Sequence, residues 1–265
     1  MKASRRPPLI HDQVAQRYDR ARPGYPSALF DDIVSYAKLA GDARILEIGC
    51  GSGQATLPMA QRGFRVDCVE PGAQMAAIAR SNLADFPAVT VTCTDFERFS
   101  SPPASYDLLL SATAFHWVDP RIRFRKAHDL LKPGGALALF WHRPVQTEES
   151  RDFTDAVGHV YKTVVPELTS DYVLPPSPDR VSTEYEDLIP ASGYFVDLEI
   201  RKHYVRTHYS AAAYVDLLGT FSDHQTLEAS KRHRLLDSIE QLIADKFAGA
   251  VIRETVALLY LARRK

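Results

Sequence analysis

The first half of the chain alternates short apolar runs with segments in which apolar residues recur at helical spacing. A run that is apolar on both faces is typical of a buried parallel strand, and the intervening segments have the period of amphipathic helices. This alternation predicts an α/β domain built on a doubly wound sheet. The predicted strands are 43–48, 64–69, 88–94, 106–111 and 135–142, and the helices between them are 55–62, 73–84 and 120–131.

The alternation stops between residues 144 and 192, which are mostly polar and carry helical patterns at 147–163 and 181–189. A segment of this length is too long for a simple connection, so we interpret it as a mainly helical cap or lid. Strands at 194–208 and 255–262 bring the predicted total to seven, and charges along the first of them are typical of an edge strand. The other predicted helices are 11–22, 27–39, 211–218 and 224–247.

These elements predict one domain over residues 1–265. Its core comprises residues 40–142 and 193–265, the helices within 9–39 cover the core, and the cap is the insertion 144–192.

Composition narrows the class of protein. The net charge is −1, so the chain lacks the excess of basic residues expected of a nucleic-acid binder. It contains no run of about eighteen apolar residues, so no membrane span is predicted. The start of the chain lacks the apolar segment of a secretory signal. Three cysteines without a CxxC pair are expected to be buried and reduced in a cytoplasmic protein. The histidines show no metal-ligand spacing, so we predict no metal.

Three alternate glycines, Gly49, Gly51 and Gly53, end the first predicted strand. Glycine lets the backbone turn sharply and approach a ligand closely, so the turn indicates a nucleotide-handling corner. A dinucleotide fingerprint has the spacing G-x-G-x-x-G, and here the third glycine comes one residue too early. Glu70, at the end of the second strand, suits the ribose hydroxyls of a dinucleotide or of another nucleoside-containing cofactor.

Further polar and aromatic residues follow the strands at the edge where ligands of open α/β sheets bind. Asp95 and Phe96 follow the third strand, where an acid can accept a hydrogen bond from an adenine amino group and an aromatic ring can pack on it. The fourth strand leads to Phe115, His116 and Trp117.

Together these segments resemble the class I S-adenosylmethionine-dependent methyltransferases. The N-terminal residues around Tyr18, Arg22 and Tyr25 look like the small-molecule subgroup that includes trans-aconitate methyltransferase-like enzymes. The resemblance implies a Rossmann-like α/β fold of seven strands, with an antiparallel last strand between the fifth and the sixth. The matching segments, in the family's order, are Glu-Ile-Gly-Cys-Gly-Ser-Gly, Val-Glu-Pro-Gly, Thr-Asp-Phe, Phe-His-Trp-Val-Asp and Leu-Lys-Pro-Gly-Gly.

The resemblance also implies S-adenosyl-L-methionine as the cofactor and a role for each matching residue. The glycines would border the methionine moiety, Glu70 would hold the ribose, and Arg22 would pair with the cofactor's carboxylate. The residues implied in cofactor binding are Tyr18, Arg22, Tyr25, Gly49, Gly51, Gly53, Glu70, Met75, Asp95, Phe96 and Ser111.

His116 and Trp117 are the candidate catalytic residues, because they lie where the acceptor is expected. His116 suits a general base, although a packed histidine is an equal alternative and a carboxylate acceptor needs no base. His142 is a second candidate base. Arginines 143, 151, 180 and 206 are candidates for meeting an anionic substrate.

We therefore expect methyl transfer to an oxygen, carboxylate or hydroxyl, of a small molecule, by a monomer or homodimer. A catalytically inactive cofactor-binding sensor is the alternative. A nicotinamide-dependent dehydrogenase and a nucleic-acid methyltransferase are disfavoured by the glycine spacing and by the absence of a basic face.

Overall fold

The computed structural model describes residues 8–168 and 174–265. Residues 1–7 and 169–173, the latter within the predicted cap, lie outside the described residues. One seven-stranded sheet has the strand order β3-β2-β1-β4-β5-β7-β6. The strands are β1 Arg44–Ile48, β2 Arg65–Glu70, β3 Val89–Cys93, β4 Tyr106–Ala112, β5 Leu131–Pro144, β6 Phe195–Ser210 and β7 Ala250–Arg264.

The sheet has the predicted topology. Strands β1 to β5 pair in parallel, and β7 lies between β5 and β6, antiparallel to both. This mixed, doubly wound arrangement confirms the predicted fold class, and the charged β6 is an edge strand, as predicted.

Most helices lie where periodicity places them, and two predicted helices are each divided. The predicted helix 11–22 is α1 and α2, and the predicted helix 224–247 is α10 and α11. The helices are α1 Pro8–Asp12, α2 Ala15–Ala21, α3 Ser27–Ala37, α4 Thr56–Gln61, α5 Ala73–Asn82, α6 Arg123–Leu130, α7 Arg151–Val164, α8 Tyr185–Ala191, α9 Ala211–Leu218, α10 Ser222–Gln225 and α11 Ala229–Lys246.

Each face of the sheet is covered by helices. Successive strand residues point to opposite faces, so Ile45 packs with Phe30 of α3 and Met59 of α4, while Leu46 belongs to the cluster containing Phe124 of α6. Burial of apolar side chains on both faces explains why β1 reads as a continuous apolar run.

The β6–β7 pair extends beyond the rest of the sheet. Pairing of β7 with β5 ends at Thr255 opposite Pro144, whereas its pairing with β6 continues to Ala250 opposite Ser210. A separate apolar cluster joins α7, α9 and α11 to this extension. Helix α8, by contrast, packs with the sheet core through Tyr185. The helical layer above the carboxyl edge therefore combines α7, from the segment 144–192, with α9 and α11, which follow β6.

The cysteines differ in exposure. Cys50 and Cys68 are buried, but Cys93 is exposed, so the expectation of three buried thiols is wrong for Cys93. The reason is its position on β3, an edge strand with little cover. No helix among the described residues has both the length and the apolar character to cross a membrane.

Candidate active site

A cavity of about 570 Å³ opens at the carboxyl edge of the parallel strands. Its volume is in the range of about 300–1,000 Å³ that is usual for small-ligand sites. Of the thirteen site residues predicted above, eleven line it: Tyr18, Arg22, Tyr25, Gly49, Gly51, Glu70, Met75, Asp95, Phe96, His116 and Trp117.

The other two predicted residues lie behind the cavity wall. Ser111 is fully buried, and its Oγ donates a hydrogen bond to the Ile48 carbonyl over 2.8 Å. Gly53 faces α5, where an added Cβ would lie 3.0 Å from Leu83 Cδ1. Both residues support the turn after β1 from behind.

The glycine turn forms a cradle that side chains would fill. Gly49 has φ +70°, and an added Cβ would stand 2.4 Å from the Ala114 Cβ. Gly51 has φ +57° and faces open space, with the Tyr18 ring as its nearest neighbour at 3.9 Å. Helix α4 begins only at Thr56, because Pro58 must lie in its first turn. The long turn and bare backbone fit a ligand that approaches closely.

Glu70 is held by the backbone around it. Its Oε2 accepts a hydrogen bond from the Gly51 N–H and its Oε1 accepts one from the Gly72 N–H, each over 2.9 Å. Burial raises the pKa of this carboxyl against the lowering effect of those two N–H groups. Each oxygen retains a lone pair, so ribose hydroxyls can still be accepted here.

Sequence reasoning missed Asp12, a second acid beside Glu70. Asp12 Oδ1 accepts a hydrogen bond from the Met75 N–H over 2.9 Å, which caps the first turn of α5. Its negative charge also contributes to the raised pKa of Glu70. Asp12 precedes Met75 by 63 residues. A sequence pattern reveals a helix cap only where the capping residue directly precedes the helix, so this one could not be recognised.

Asp95, Phe96 and Met75 lie on the side of the cavity predicted to hold adenine. Asp95 Oδ1 accepts a hydrogen bond from the Arg98 N–H over 2.8 Å, so this residue caps the turn as well as lining the cavity. Phe96 and Met75 are both buried, and they supply an apolar wall for a flat ring.

The N-terminal segment covers the cavity and contacts the helices after β6. Arg22 Nε donates a hydrogen bond to Thr220 Oγ1 over 2.8 Å, and the Arg22 guanidinium carbon lies 4.6 Å from the ring centre of Phe221. The Tyr25 ring stacks on His142 with 4.4 Å between ring centres. These contacts form a roof from α2, the following loop and the α9–α10 junction.

The two candidate bases are neutral and hydrogen-bonded. Burial and the nearby arginines lower the pKa of His116 to about 4, and its Nδ1 accepts a hydrogen bond from the Trp141 Nε1–H over 3.2 Å. Nε2 of the neutral ring then carries the proton. Burial likewise lowers the pKa of His142 to about 4, and its Nε2–H donates to the Gly24 carbonyl over 3.0 Å. Trp117 is 38% exposed beside His116.

Other cavity residues were not predicted as site residues. His11 lies at the start of the predicted helix 11–22, and a helical pattern alone does not reveal a ligand contact. Leu217 and Phe221, on and after α9, and Arg253 on β7 reach the cavity from the part of the chain after β6 begins. Contacts of this kind depend on tertiary structure and not on local pattern.

Comparison with known proteins points to the same class. The family model for a methyltransferase domain matches residues 45–135. An uncharacterized methyltransferase of Mycobacterium tuberculosis is 29% identical over 230 residues, which cover 86% of this chain and 82% of that protein.

Solved structures share the fold. A protein assigned as a type II methyltransferase from Anaeromyxobacter dehalogenans superposes with a TM-score of 0.64 at 26% identity, covering 91% of this chain and 97% of that one. A phosphoethanolamine N-methyltransferase from Haemonchus contortus, complexed with S-adenosylhomocysteine, has a TM-score of 0.55 at 18% identity, covering 96% and 57% respectively.

The fold, the cavity and these similarities support a class I S-adenosylmethionine-dependent methyltransferase, with S-adenosylmethionine as the cofactor. It is therefore an enzyme, and the alternative of a catalytically inactive sensor is not favoured.

Proposed function

We propose that this enzyme methylates an oxygen atom of a small-molecule acceptor. The observation that carries the proposal is the roofed cavity, whose walls combine the predicted cofactor residues with His116 and Trp117. The roof from the N-terminal segment and the α9–α10 junction leaves space suited to a small molecule. The net charge of −1 also favours such an acceptor over a nucleic acid.

The cavity residues divide between cofactor and acceptor. We assign the backbone of Gly49 and Gly51 to the methionine moiety, Glu70 to the ribose, and Asp95 with Phe96 to the adenine. S-adenosylmethionine bound here would supply a methyl group activated on a sulfonium. A carboxylate oxygen could take that methyl group without losing a proton, whereas a hydroxyl would also have to release its proton to water or to a group in the site.

His116 and Trp117 are assigned to the acceptor. The Nδ1 of His116 is occupied by the Trp141 N–H, so the ring offers an Nε2–H donor and not a base. Such a donor can orient an acceptor oxygen without removing a proton. Since the methyl group is already activated, orientation supplies much of the rate enhancement.

Calorimetric titration with S-adenosylhomocysteine tests the cofactor assignment. We expect Glu70→Gln to weaken binding by about tenfold, the usual effect of losing a charged hydrogen-bond partner. Glu240→Gln, an exposed change on α11, is the matched control and should leave the dissociation constant unchanged. Equal affinity in the wild type and both variants would show that Glu70 does not bind the cofactor.

The acceptor class is tested by incubating the enzyme and S-adenosylmethionine with small carboxylic acids, phenols, alcohols and amines. We expect methylated oxygen compounds by mass spectrometry, together with S-adenosylhomocysteine. Turnover of amines alone would contradict the proposal.

A further inference from the structure

Arg253 is a cation in the cavity wall that the assignments above do not use. It lies on β7 beyond the last residue paired with β5, opposite Thr207 of β6. In the strand order, β7 lies three strands away from β1, which corresponds to about 14 Å at the usual strand spacing. Arg253 is therefore on the acceptor side of the cavity, away from the residues predicted to hold adenine.

The guanidinium of Arg253 has no acidic partner among the described residues. It enters none of the ion pairs formed there. The charged or ionisable groups around it are the phenols of Tyr214, Tyr209 and Tyr161 and the cation of Arg22. Burial lowers the pKa of the guanidinium, because a cation away from water is penalised.

The acid next to Arg253 in the sequence and an acid of the cavity wall are both bonded elsewhere. Glu254 follows Arg253 directly, so its side chain points to the opposite face of the sheet, where it accepts hydrogen bonds from Thr147 and Ser150. Asp223 lines the cavity, but its Oδ1 accepts a hydrogen bond from the His224 backbone N–H over 2.9 Å. Neither acid neutralises Arg253.

Within the described part of the chain, Arg22 is a second cation without an acidic partner. The guanidinium carbons of Arg22 and Arg253 lie 4.6 and 5.8 Å from the ring centre of Phe221, so the two charges flank one aromatic side chain. Two like charges in one partly buried place are unfavourable without a counter-charge. An anionic ligand would relieve both the repulsion and the loss of hydration.

We propose that Arg253 is the recognition residue for a carboxylate group on the acceptor, beside the Phe221 ring. This inference rests on the proposed methyl transfer to a small molecule. It narrows the acceptor from any oxygen compound to a carboxylic acid that binds as its anion. A guanidinium matches a carboxylate with two parallel hydrogen bonds, and Phe221 with Leu217 offers apolar contact for the rest of the molecule.

The histidines are consistent with an acceptor that needs no deprotonation. His116 has its Nδ1 lone pair occupied by Trp141, and His142 is bonded at both nitrogens. Hydroxyl or amine acceptors require a proton acceptor in the site, whereas a carboxylate arrives already ionised.

Acetate titration of the protein loaded with S-adenosylhomocysteine tests the proposal without knowledge of the acceptor. Acetate is small enough to reach any carboxylate site, and the Nε–H signal of Arg253 in a ¹H–¹⁵N spectrum, assigned with Arg253→Lys, reports contact with it. We expect a saturable shift with acetate and none with acetamide, its neutral counterpart. A shift that grows linearly, or that acetamide reproduces, would overturn the proposal.

Variants separate this site from the cofactor site. In each variant, the NMR signal of the acetate methyl group measures the affinity for acetate. Arg253→Met keeps the apolar stem and should weaken acetate binding by about tenfold or more, as expected when a charge-assisted hydrogen bond is lost. Arg234→Met, an exposed change on α11 away from the cavity, is the matched control and should change the affinity for acetate less than about twofold.

The affinity for S-adenosylhomocysteine distinguishes the possible failures. If Arg253→Met weakens that affinity as strongly as acetate binding, Arg253 holds the cofactor carboxylate and this inference is wrong. If the wild-type protein does not bind S-adenosylhomocysteine, the proposed function fails, while the acetate titration of the unloaded protein still reports whether the anion site exists.

Discussion

At the scale of single residues, Glu47 is an acid within the apolar strand β1. Burial raises its pKa to about 8, against the lowering effect of the hydrogen bond that Thr56 Oγ1 donates to it over 2.7 Å. Near neutral pH the folded protein therefore keeps this side chain protonated. In the unfolded chain the carboxyl ionises near its ordinary value of 4.5.

Glu47→Gln should consequently stabilise the protein more as pH rises. Between about pH 4.5 and 8 the folded state binds the extra proton, so the stability of the wild type falls by up to about 1.4 kcal/mol per pH unit from this group alone. The free energy of unfolding in urea, measured at pH 5, 7 and 9 for both proteins, gives the difference. A difference independent of pH would show that Glu47 is ionised in the fold.

Two glycines of the turn offer a matched comparison. Gly49→Ala brings a Cβ to 2.4 Å from the Ala114 Cβ, whereas Gly51→Ala has open space and only the cost of a positive φ, about 1–2 kcal/mol. We expect Gly49→Ala to lower the free energy of unfolding clearly more than Gly51→Ala. Gly51→Ala should still weaken S-adenosylhomocysteine binding, because its Cβ would project into the cavity. Equal destabilisation would contradict the clash.

His116 makes a pH prediction of the opposite sign to Glu47. With its pKa lowered to about 4 by burial, the ring stays neutral in the fold while the unfolded chain takes up a proton near pH 6.5. Stability from this group is complete above pH 6.5 and is lost as pH falls towards 4. NMR titration of the imidazole, assigned with His116→Gln, should show no transition between pH 5.5 and 8 in the folded protein. A transition near 6.5 would restore His116 as a candidate base.

At the scale of secondary structure, α1 is joined to α5 by the cap from Asp12 to the Met75 N–H. Asp12→Ala should cost about 1 kcal/mol of stability, the usual value of a lost cap, and should increase proteolysis of residues before α3. Asp12→Asn keeps an acceptor oxygen and should lose less. Equal losses in the two variants would place the contribution in the charge of Asp12 and not in the cap.

The elements that periodicity predicted best are those buried on both faces of the sheet, such as β1 and β4, because burial dictates their apolar composition directly. The division between α10 and α11 was not predicted, since the helical pattern continues through it. There His224 is buried, with Nδ1–H donating to the Leu218 carbonyl over 2.7 Å and Nε2 accepting from the Tyr161 hydroxyl over 2.8 Å. Tertiary hydrogen bonds of this kind decide where the first helix ends.

The same distinction holds for the site. The residues assigned to the cofactor follow strands in a recognisable order, so their place at the sheet edge could be predicted from sequence. Asp12 and Arg253 could not, because Asp12 reaches the first turn of α5, and Arg253 reaches the cavity, from a distant part of the chain.

At the scale of the whole molecule, the roof couples the two ends of the chain. Arg22 donates hydrogen bonds to Thr220, which joins the N-terminal segment to the α9–α10 junction. Binding of S-adenosylhomocysteine should therefore slow amide hydrogen exchange in α2 and α9 as well as in the glycine turn. Arg22→Met should reduce the protection of α9. Protection confined to the turns after β1 to β4 would show that the roof does not respond to the cofactor.

The extension of β6 and β7 beyond the sheet has an evolutionary consequence. Residues 44–112 supply most of the predicted cofactor side, whereas the wall with Arg253 and the α9–α10 junction comes from residues 195–264. Sequence drift or recombination in the second stretch can therefore alter the acceptor while the first stretch is inherited unchanged. Residues 205–255 would be the natural segment to exchange with a related enzyme in a chimaera designed to transfer acceptor specificity.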